Sequence, residues 1–362
     1  MALERVRLGF CGVGRIADLQ CLGYLEHPRC DIVAVCDPEE GRARERASAW
    51  GAQRVYTDAE QLFRDPDIDA VEILTPHELH ATQTVAALEA GKHVSLQKPP
   101  TRTLEEFEAV ARAAERSDRV LRVFENFMYY PPHQKAKDLI DQGAIGDPIS
   151  IRIKTAGGRM GEGWNIEPAT QAWRMDREKC GGGPVTFDHG YHCYHMGRFF
   201  IPAEVERVHA FIHWTQLAED AWHDGPALIS WRYGGEPTRY GSWEIIASLE
   251  MRVRSKYYVS DDRMEIHGTE GIIWVTRCTG KLLEEPSVIL YREGETQAFH
   301  DLPVDWAESF RLGGLDFVDA LLEGRQPPQG VNEARRTLAF ALAACRSAEE
   351  GREVEVEEIL KP

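Results

Sequence analysis

Three side chains in two separate segments could carry acid–base chemistry, and one of them is a lysine. Lys98 lies in "SLQKPP", directly after an apolar run and before two prolines. Proline restricts its own φ and disfavours a helical conformation in the residue before it, so Lys98 is predicted to adopt an extended or turn conformation. These residues alone fit two interpretations, a solvated lysine in a turn and a lysine held in place to act on a substrate.

Asp188 and His192 are four residues apart in "CGGGPVTFDHGYHCYH", a segment whose glycines precede a predicted helix. The two residues would share one face of that helix, where a carboxylate beside an imidazole orients the ring and raises its pKa. This arrangement is typical of a general base. His189 would point away from the shared face, and we expect it to be structural or to line a pocket.

A glycine-rich turn near the N-terminus predicts a dinucleotide site. The stretch "GFCGVGRIAD" contains the spacing GxGxxA from Gly12 to Ala17, between a predicted strand and a predicted helix. Glycines in this position let the backbone approach a pyrophosphate, which N–H groups at the start of the helix bind. The context of strand, turn and helix makes the motif more specific than its letters alone.

The preference between NAD and NADP is predicted from the end of the second strand. Asp37 lies 23 residues after Gly14, close to the spacing at which an acid binds the adenosine ribose hydroxyls. Its carboxylate, followed by two glutamates, would repel a 2′-phosphate. An arginine can hold such a phosphate, but Arg42 and Arg44 are interpreted as solvated residues of a helix. We therefore predict NAD as the cofactor and NADP as the less favoured one.

Further cofactor contacts are expected where the third and fourth predicted strands end. The stretch "TPHELH" follows the third strand and "SLQKPP" ends the fourth, and open α/β sheets bind ligands at this edge. Lys98 would then lie where a nicotinamide meets its substrate. The residues predicted to bind the dinucleotide are Gly12, Gly14, Arg15, Ile16, Asp37, Thr75, Pro76, His80, Gln97 and Lys98.

Secondary-structure patterns place these motifs in two regions. Up to about residue 127, five apolar strand-like runs alternate with helical patterns, which predicts crossover connections and a parallel sheet. Beyond that point, strand-rich segments with few helices between them predict a mostly antiparallel sheet, and two amphipathic helices close the chain. We predict an α/β protein with a Rossmann domain at residues 1–126 and a C-terminal α/β domain at residues 127–362, which carries a large, open, mostly antiparallel sheet.

Composition argues against several classes of partner. The 362 residues carry a formal net charge of −17, which would repel nucleic acid and anionic membranes. No apolar run reaches the roughly 20 residues needed to span a bilayer, and the N-terminus lacks a secretory signal pattern. The eight cysteines contain no CxxC pair, which argues against zinc knuckles and disulfide frameworks. We expect a cytoplasmic protein without nucleic-acid or membrane partners.

Taken together, the motifs resemble those of the Gfo/Idh/MocA oxidoreductases. The resemblance implies that Lys98 matches the family's E-K-P lysine and that Asp188 and His192 match its D-x-G-x-H pair. Gln97 replaces the glutamate that commonly precedes the lysine, so the charge near Lys98 differs. In family order between residue 6 and about residue 275, the chain contains "GFCGVGRIA", "AVCD", "ILTPHELH", "AGKHVSLQKP", "IGDP", "AWRMDREKCGGGPVTFDHGYH" and "EIHGTEGII".

The resemblance implies an NAD-dependent dehydrogenase that oxidises a secondary hydroxyl of a sugar, glycoside or cyclitol. His192, supported by Asp188, would remove the hydroxyl proton, and Lys98 would position and polarise the same oxygen. Trp173 and Arg174 follow the glycine-rich loop "TAGGRMGEGWNIEPATQ" and are expected to bind the substrate together with these three residues.

Two other functions stay open at this stage. The enzyme could keep its NAD bound and recycle it in a redox-neutral reaction, as in an epimerase or an oxidative glycosidase. A non-catalytic dinucleotide sensor is the other, and the intact set of lysine, aspartate and histidine argues against it. A metal site of Asp188, His192 and His195 is not expected, because alcohol oxidation by a nicotinamide beside a lysine needs no metal. The family further implies a homodimer or homotetramer formed through the C-terminal sheet.

Overall fold

The computed structural model describes residues 3–158, 163–248 and 250–361. The chain divides into two compact units, and neither is one continuous stretch of sequence. The division into a Rossmann domain at residues 1–126 and a C-terminal domain at residues 127–362 stays a prediction. Unit 1 comprises Met1–Asn126, Glu178–Gly181 and Phe310–Leu338, and unit 2 comprises Phe127–Arg177, Gly182–Ser309 and Ala339–Pro362.

Unit 1 contains a parallel sheet of six strands in its described residues. The strand order is β3-β2-β1-β4-β5-β6, and every neighbouring pair is parallel, as predicted. The order reverses between β1 and β4, the point at which open α/β sheets bind ligands. The sequence patterns predict five strands and miss β3, a three-residue edge strand without a buried residue. The strands are β1 (Val6–Cys11), β2 (Cys30–Cys36), β3 (Arg54–Tyr56), β4 (Ala70–Ile73), β5 (His93–Gln97) and β6 (Leu121–Phe124).

Helices connect these strands and cover the sheet. Where one helix is predicted after β1, the structure has two short ones separated at Cys21. The Thr103 side chain accepts a hydrogen bond from the Glu106 N–H at 3.2 Å and so caps α6. The helices are α1 (Ala17–Gln20), α2 (Leu22–Glu26), α3 (Glu40–Trp50), α4 (Ala59–Arg64), α5 (His77–Glu89) and α6 (Leu104–Arg116).

Unit 2 contains a nine-stranded sheet in its described residues, of order β18-β17-β15-β14-β7-β12-β11-β8-β19. Only the β7–β12 pair in this sheet is parallel, so the predicted large, open and mostly antiparallel sheet is confirmed. Strands β9 and β10 form a separate hairpin. The strands are β7 (Pro148–Gly157), β8 (Val205–Ile212), β9 (Thr215–Ala218), β10 (Ala221–His223), β11 (Ala227–Tyr233), β12 (Arg239–Ala247), β13 (Arg254–Ser255), β14 (Ser260–Gly268), β15 (Gly271–Val275), β16 (Gly280–Lys281), β17 (Val288–Arg292), β18 (Glu295–Phe299) and β19 (Val354–Glu355).

One face of this sheet packs inside unit 2 and the other is open. On β11, Ile229 and Trp231 are buried. The residues between and beside them, Leu228, Ser230 and Arg232, lie on the exposed face. This alternation is typical of an antiparallel sheet with one solvated face. The remaining helices are α7 (Pro131–Asp141), α8 (Pro168–Met175), α9 (Arg177–Cys180), α10 (Gly190–Phe200), α11 (Ala307–Glu323), α12 (Val331–Glu350) and α13 (Glu357–Leu360), with a π-helix at Pro184–His189 and a 3₁₀ helix at Asn126–Tyr129.

A bilayer-spanning helix is absent from the described part of the chain, where no helix combines the necessary length and apolarity.

Candidate active site

The glycine turn of unit 1 has the backbone shape that its spacing predicts. Gly12 has φ +82°, a left-handed conformation that favours glycine, and a Cβ there would lie 3.0 Å from the Leu74 carbonyl carbon. A Cβ at Gly14 would meet no atom within 4 Å, so the space beside this residue is open. Arg15 is exposed and pairs with Asp18 at 3.1 Å. Ile16 is half-buried, directly before α1.

Asp37 is buried directly beyond the end of β2 and is tied to the same turn. Its Oδ2 accepts the Val13 N–H at 3.0 Å, and its Oδ1 accepts the Glu39 N–H at 3.0 Å. Arg42 also donates to Oδ1, at 3.0 Å. The interpretation of Arg42 as a solvated helix residue is therefore wrong, because its guanidinium lies on the carboxylate predicted to bind ribose. Arg44 instead pairs with Glu40 four residues earlier.

Thr75, Pro76 and His80 lie in the segment that follows β4. The Thr75 hydroxyl donates to Gln83 Oε1 at 2.6 Å, and Pro76 is the N-cap residue of α5. The His80 ring is buried, with Nε2 2.8 Å from the Thr75 carbonyl and Nδ1 2.9 Å from the Pro99 carbonyl. His80 therefore links the segment after β4 to the segment after β5. A cofactor contact by this ring stays a prediction.

Lys98 follows the last residue of β5, at the carboxyl edge of the parallel sheet. Its N–H donates to Oε1 of Gln97 at 2.8 Å, so the Gln97 side chain folds back on the main chain. The Lys98–Pro99 peptide bond is cis. Gln97 and Lys98 are both half-buried. The amide of Gln97 accepts this hydrogen bond without placing a negative charge beside the ammonium group.

These residues of unit 1 fit a dinucleotide. The turn at Gly12 leaves open space at Gly14, and a buried carboxylate follows the neighbouring strand at Asp37. Thr75 and Lys98 follow β4 and β5, and parallel strands bring their carboxyl ends to one edge of the sheet.

Asp188 lies in the π-helix rather than in the regular helix that the spacing predicts. Its N–H donates to the Gly183 carbonyl at 3.1 Å, a bond that spans five residues. π-Helical turns occur often at functional sites. The Arg174 Nε lies 3.2 Å from Asp188 Oδ2, which is nearly buried, so the carboxylate is paired with a cation. Two of the predicted substrate residues are thus brought together.

His192 lies on α10, one turn beyond Asp188. Its ring stacks on the buried Phe127 ring at a centroid distance of 4.1 Å and an interplanar angle of 2°. The His189 ring lies edge-on to it, with centroids 5.7 Å apart. His189 therefore lies beside His192, contrary to the expectation that it points away, because side chains three residues apart on a helix are neighbours on its surface.

The predicted substrate residues on α8 lie close to aromatic rings. The Arg174 guanidinium lies 5.3 Å from the Trp173 ring centroid and 5.6 Å from that of Tyr258. Trp173 is half-buried. Part of the glycine-rich loop predicted to border the pocket, residues 159–162, lies outside the described residues.

Asp224 is a buried residue of this region that the sequence patterns do not reveal. Its carboxylate accepts the Val185 and Thr186 N–H groups at 2.9 and 2.6 Å and also the Thr186 hydroxyl. Asp224 thus caps the first turn of the π-helix that carries Asp188. A Cβ at Gly183 would lie 1.8 Å from Asp224 Oδ2, so this approach requires glycine.

A second buried carboxylate, Asp262 of β14, is bound to His189. Its Oδ1 lies 2.9 Å from His189 Nε2 and accepts the Thr155 hydroxyl at 2.5 Å, and Thr155 in turn accepts the Trp243 indole N–H at 2.8 Å. Burial opposes the charged form of Asp262, but His189 and the hydrogen bond from Thr155 outweigh it and hold the pKa of Asp262 below its usual value.

Cys193 lies close to the same pair. Among the described residues, His189, Cys193 and Asp262 are a group whose potential metal-ligand atoms all lie within 4.8 Å of one another. The Thr155 hydroxyl is 3.9 Å from Cys193 Sγ. This trio differs from the set of Asp188, His192 and His195 that the sequence suggests as a conceivable metal site.

Two family models match the chain. Residues 6–125 match the model of an oxidoreductase family with an NAD-binding Rossmann fold, and residues 133–274 match that of the Gfo/Idh/MocA C-terminal domain. Sheet order, glycine turn and family models define an NAD-binding α/β oxidoreductase. The chain belongs to the Gfo/Idh/MocA oxidoreductase family.

The chain is similar over nearly its whole length to curated sugar and cyclitol enzymes. It is 28% identical to 1,5-anhydro-D-fructose reductase of Ensifer adhaerens, covering 97% of this chain and 98% of the relative. It is 27% identical to the NAD(+)-dependent scyllo-inositol 2-dehydrogenase of Bacillus subtilis, covering 98% and 97%. The structure of levoglucosan dehydrogenase with NADH and levoglucosan superposes with a TM-score of 0.81 at 24% identity, covering 98% and 100%, a likeness that concerns the fold.

Proposed function

We propose that this protein is an NAD-dependent dehydrogenase that oxidises a secondary hydroxyl of a sugar, glycoside or cyclitol to a ketone. The observation that supports the proposal best is the pairing of Arg174 with Asp188 beside the stacked His192, in a chain with a dinucleotide-binding turn. The named relatives act on an anhydrohexose derivative and an inositol, which suggests the substrate class.

The residues of unit 1 would hold the cofactor. Gly12, Gly14, Arg15 and Ile16 would surround the pyrophosphate, and Asp37 would bind the ribose hydroxyls. The segment after β4 and the end of β5 with the residue that follows it would border the nicotinamide half. These two parts of the chain carry Thr75, Pro76, His80, Gln97 and Lys98. When bound, NAD supplies an acceptor for the hydride that leaves the hydroxyl-bearing carbon.

The residues of unit 2 would move the proton. His192 would take the proton of the reacting hydroxyl, with its ring plane held by Phe127. Asp188, paired with Arg174, would keep the imidazole oriented and favour its charged form once the proton has arrived. Trp173 and Arg174 would contact other parts of the substrate.

Lys98 would act on the same oxygen. Its ammonium group would stabilise the negative charge that develops as the proton leaves, an electrostatic contribution that a fixed donor makes without reorganisation. No metal is needed for this chemistry.

The experiment is a substrate panel. The purified protein is incubated with NAD and with levoglucosan, 1,5-anhydro-D-glucitol, myo-inositol or scyllo-inositol, and NADH formation is followed by absorbance. We expect NADH with at least one of these polyols. His192→Ala should lower kcat by about 10²–10⁴-fold because the general base is lost. NAD affinity should be retained, and the exposed His300→Ala should behave as the wild type.

The same experiment separates the two catalytic modes. A protein that converts a sugar while its bound NAD is reduced and reoxidised without net NADH would be the redox-neutral enzyme instead. If the protein binds NAD but converts no polyol of the panel, and His192→Ala does not differ from the wild type in any measured activity, both modes would be contradicted.

We also propose a cytoplasmic location and a homodimer or homotetramer formed through the C-terminal sheet. All eight cysteines are free thiols, which suits a reducing compartment.

On the open face of the sheet, Phe211 and Leu228 are exposed on directly opposite positions of β8 and β11, and Tyr240 is exposed beside a depression of about 370 Å³. Exposed apolar residues on one sheet face suit a second copy of the chain. Sedimentation equilibrium that finds only monomer at micromolar concentration would contradict the assembly.

A further inference from the structure

Asp262 breaks the pattern of its own strand. On β14, Asp262, Met264 and Ile266 occupy alternate positions on the buried face, and the latter two pair with isoleucines of β7. A carboxylate on such an apolar face lowers stability unless it is paired, because burial removes its hydration. Local rules of this kind are broken mostly at functional sites. The carboxylate therefore points to a role beyond packing.

The partner of this carboxylate lies partly at the surface of unit 2. Asp262 has no exposed side-chain area, whereas the His189 side chain retains 23% of its area. Because Asp262 engages Nε2, the other nitrogen with which this ring can meet a ligand is Nδ1. The bond from Thr155 to Asp262, itself supported by Trp243, limits movement of the carboxylate and so of the imidazole.

His189 is also a neighbour of the proposed general base. The centroids of His189 and His192 are 5.7 Å apart, and both rings contact Phe127. Two imidazoles at this separation can each form a hydrogen bond of about 2.8 Å to one of two neighbouring oxygens of the same ligand. A hydroxyl suits Nδ1 in either protonation state, since it can donate to a neutral ring or accept from a charged one.

We propose that His189, positioned by Asp262, binds the hydroxyl adjacent to the one that is oxidised, and so makes the enzyme specific for vicinal diols. This inference rests on the proposed function, because it takes His192 as the base for the reacting hydroxyl. A site that hydrogen-bonds a substrate hydroxyl discriminates strongly against the analogue that lacks it, because its own polar group is then left unpaired.

The test compares a polyol with its deoxy analogues. The polyol of the panel that is oxidised fastest is compared with its two monodeoxy analogues, each lacking one hydroxyl next to the oxidised carbon. We expect the wild-type kcat/KM to be about 10²-fold lower for one analogue, less than the ~10⁴-fold of a fully enclosed site because His189 is partly exposed. His189→Leu should lower kcat/KM for the polyol by a similar factor and leave that of the analogue nearly unchanged.

Asp262→Asn provides a second variant of nearly the same volume. Because Asp262 is a positioning residue, Asp262→Asn should lower the ratio of kcat/KM for the polyol to kcat/KM for the analogue, as His189→Leu does, but by about tenfold. A purely structural role would lower the thermal midpoint without changing this ratio. NAD affinity, which depends on residues of unit 1, serves as the control for folding in both variants.

Cys193→Ser is the matched control for the trio of potential metal ligands. We expect its ratio and its sensitivity to EDTA to equal those of the wild type. Loss of wild-type activity in EDTA that Zn²⁺ restores, together with low activity of Cys193→Ser in the absence of EDTA, would overturn the inference in favour of a metal site.

The remaining outcomes separate the two proposals. Oxidation of the polyol with an unchanged ratio in His189→Leu, or an equal loss for polyol and analogue, would overturn the role of His189 while the dehydrogenase function stands. Failure of every polyol in the panel would overturn the dehydrogenase function and this inference with it.

Discussion

At the scale of single residues, Lys98 and Asp37 follow two different strands of the parallel sheet of unit 1, β5 and β2, and substitutions at the two positions are expected to have different effects. Lys98 is half-buried after β5, whereas Asp37 is buried and accepts hydrogen bonds from the glycine turn and from Arg42. Changing the first should therefore affect chemistry, and changing the second should affect cofactor binding and choice.

Lys98→Met tests the role of the ammonium group. We expect turnover to fall by about 10²–10³-fold, the effect of losing one well-placed electrostatic donor. NAD affinity should change by less than about threefold, because the pyrophosphate is bound elsewhere. Steady-state kinetics and cofactor titration measure the two quantities, and Lys281→Met, which removes a half-buried lysine paired with Glu284, is the control.

Combining Lys98→Met with His192→Ala tests whether both side chains act on one hydroxyl. The effects of residues that act as a unit on turnover are far from additive, so the double variant should be only slightly less active than the less active of the two single variants. A Lys98→Met enzyme that keeps most of its turnover would return this lysine to the role of a solvated turn residue.

Cofactor choice is the second prediction at this scale. Asp37→Ala should weaken NAD binding by about 10–100-fold, because hydrogen bonds to a charged group are lost, and should narrow the preference for NAD over NADP. The narrowing has a further cause in the structure, since Arg42 is released from its 3.0 Å contact with Asp37 and can meet a 2′-phosphate. Adding Arg42→Ala should reverse the gain for NADP, whereas adding Arg44→Ala should not. Equal NADP use by both double variants would contradict this role of Arg42.

At the scale of elements, the π-helix that carries Asp188 depends on a residue far along the chain. Asp224 holds the first N–H groups of this helix, and the approach is possible because residue 183 is glycine. The hairpin of β9 and β10 ends directly before Asp224, so the capping residue is joined to an exposed element. The start of the π-helix is thus fixed by a different part of unit 2.

Asp224→Ala should both destabilise the protein and reduce turnover. The lost cap and the buried N–H groups left unpaired should cost about 3 kcal/mol in the free energy of unfolding. Asp224→Asn keeps one carbonyl acceptor and should cost less. Urea unfolding and kcat measure the two effects, with exposed Asp220→Ala as the control. An Asp224→Ala protein with wild-type kcat would show that the cap does not position Asp188.

At the scale of the whole molecule, unit 1 carries a buried polar network across its sheet. Glu72, Ser95 and Arg122 are neighbours in register on β4, β5 and β6. Arg122 donates to Ser95 Oγ at 2.9 Å and to the Tyr24 hydroxyl at 3.0 Å, and Tyr24 donates to Glu72. Burial raises the pKa of Glu72 to about 7 against the opposing effect of Arg122.

This raised pKa predicts how stability depends on pH. Folded Glu72 binds its proton more tightly than the unfolded chain does, so its contribution is fully favourable below pH of about 4.5 and is lost as the pH rises to about 7. Relative to that of the wild type, the free energy of unfolding of Glu72→Gln should therefore rise by about 3 kcal/mol as the pH increases between these two values. Urea unfolding across the range measures the difference, and exposed Glu60→Gln is the control. A difference that does not vary with pH would mean that Glu72 titrates normally.

The sequence by itself determined the features that depend on neighbouring residues. Alternating strand and helix patterns specify the parallel sheet of unit 1, because hydrophobic period and crossover length are local properties. The spacing of Gly12 and Gly14 predicts a turn whose φ at Gly12 the structure confirms. Strand β3 was missed because three half-buried residues carry no period.

Only the tertiary structure decided which distant side chains meet. His189 and Asp262 are 73 positions apart, and Asp224 caps residues 38 and 39 positions before it. Local patterns cannot show such pairs, because strand register and the packing of α10 on the sheet bring them together. The acidic residue on the apolar face of β14 was the available signal for Asp262. The start of the π-helix that carries Asp188 is likewise set from a distance, because Asp224 accepts its first N–H groups and approaches Gly183 closely.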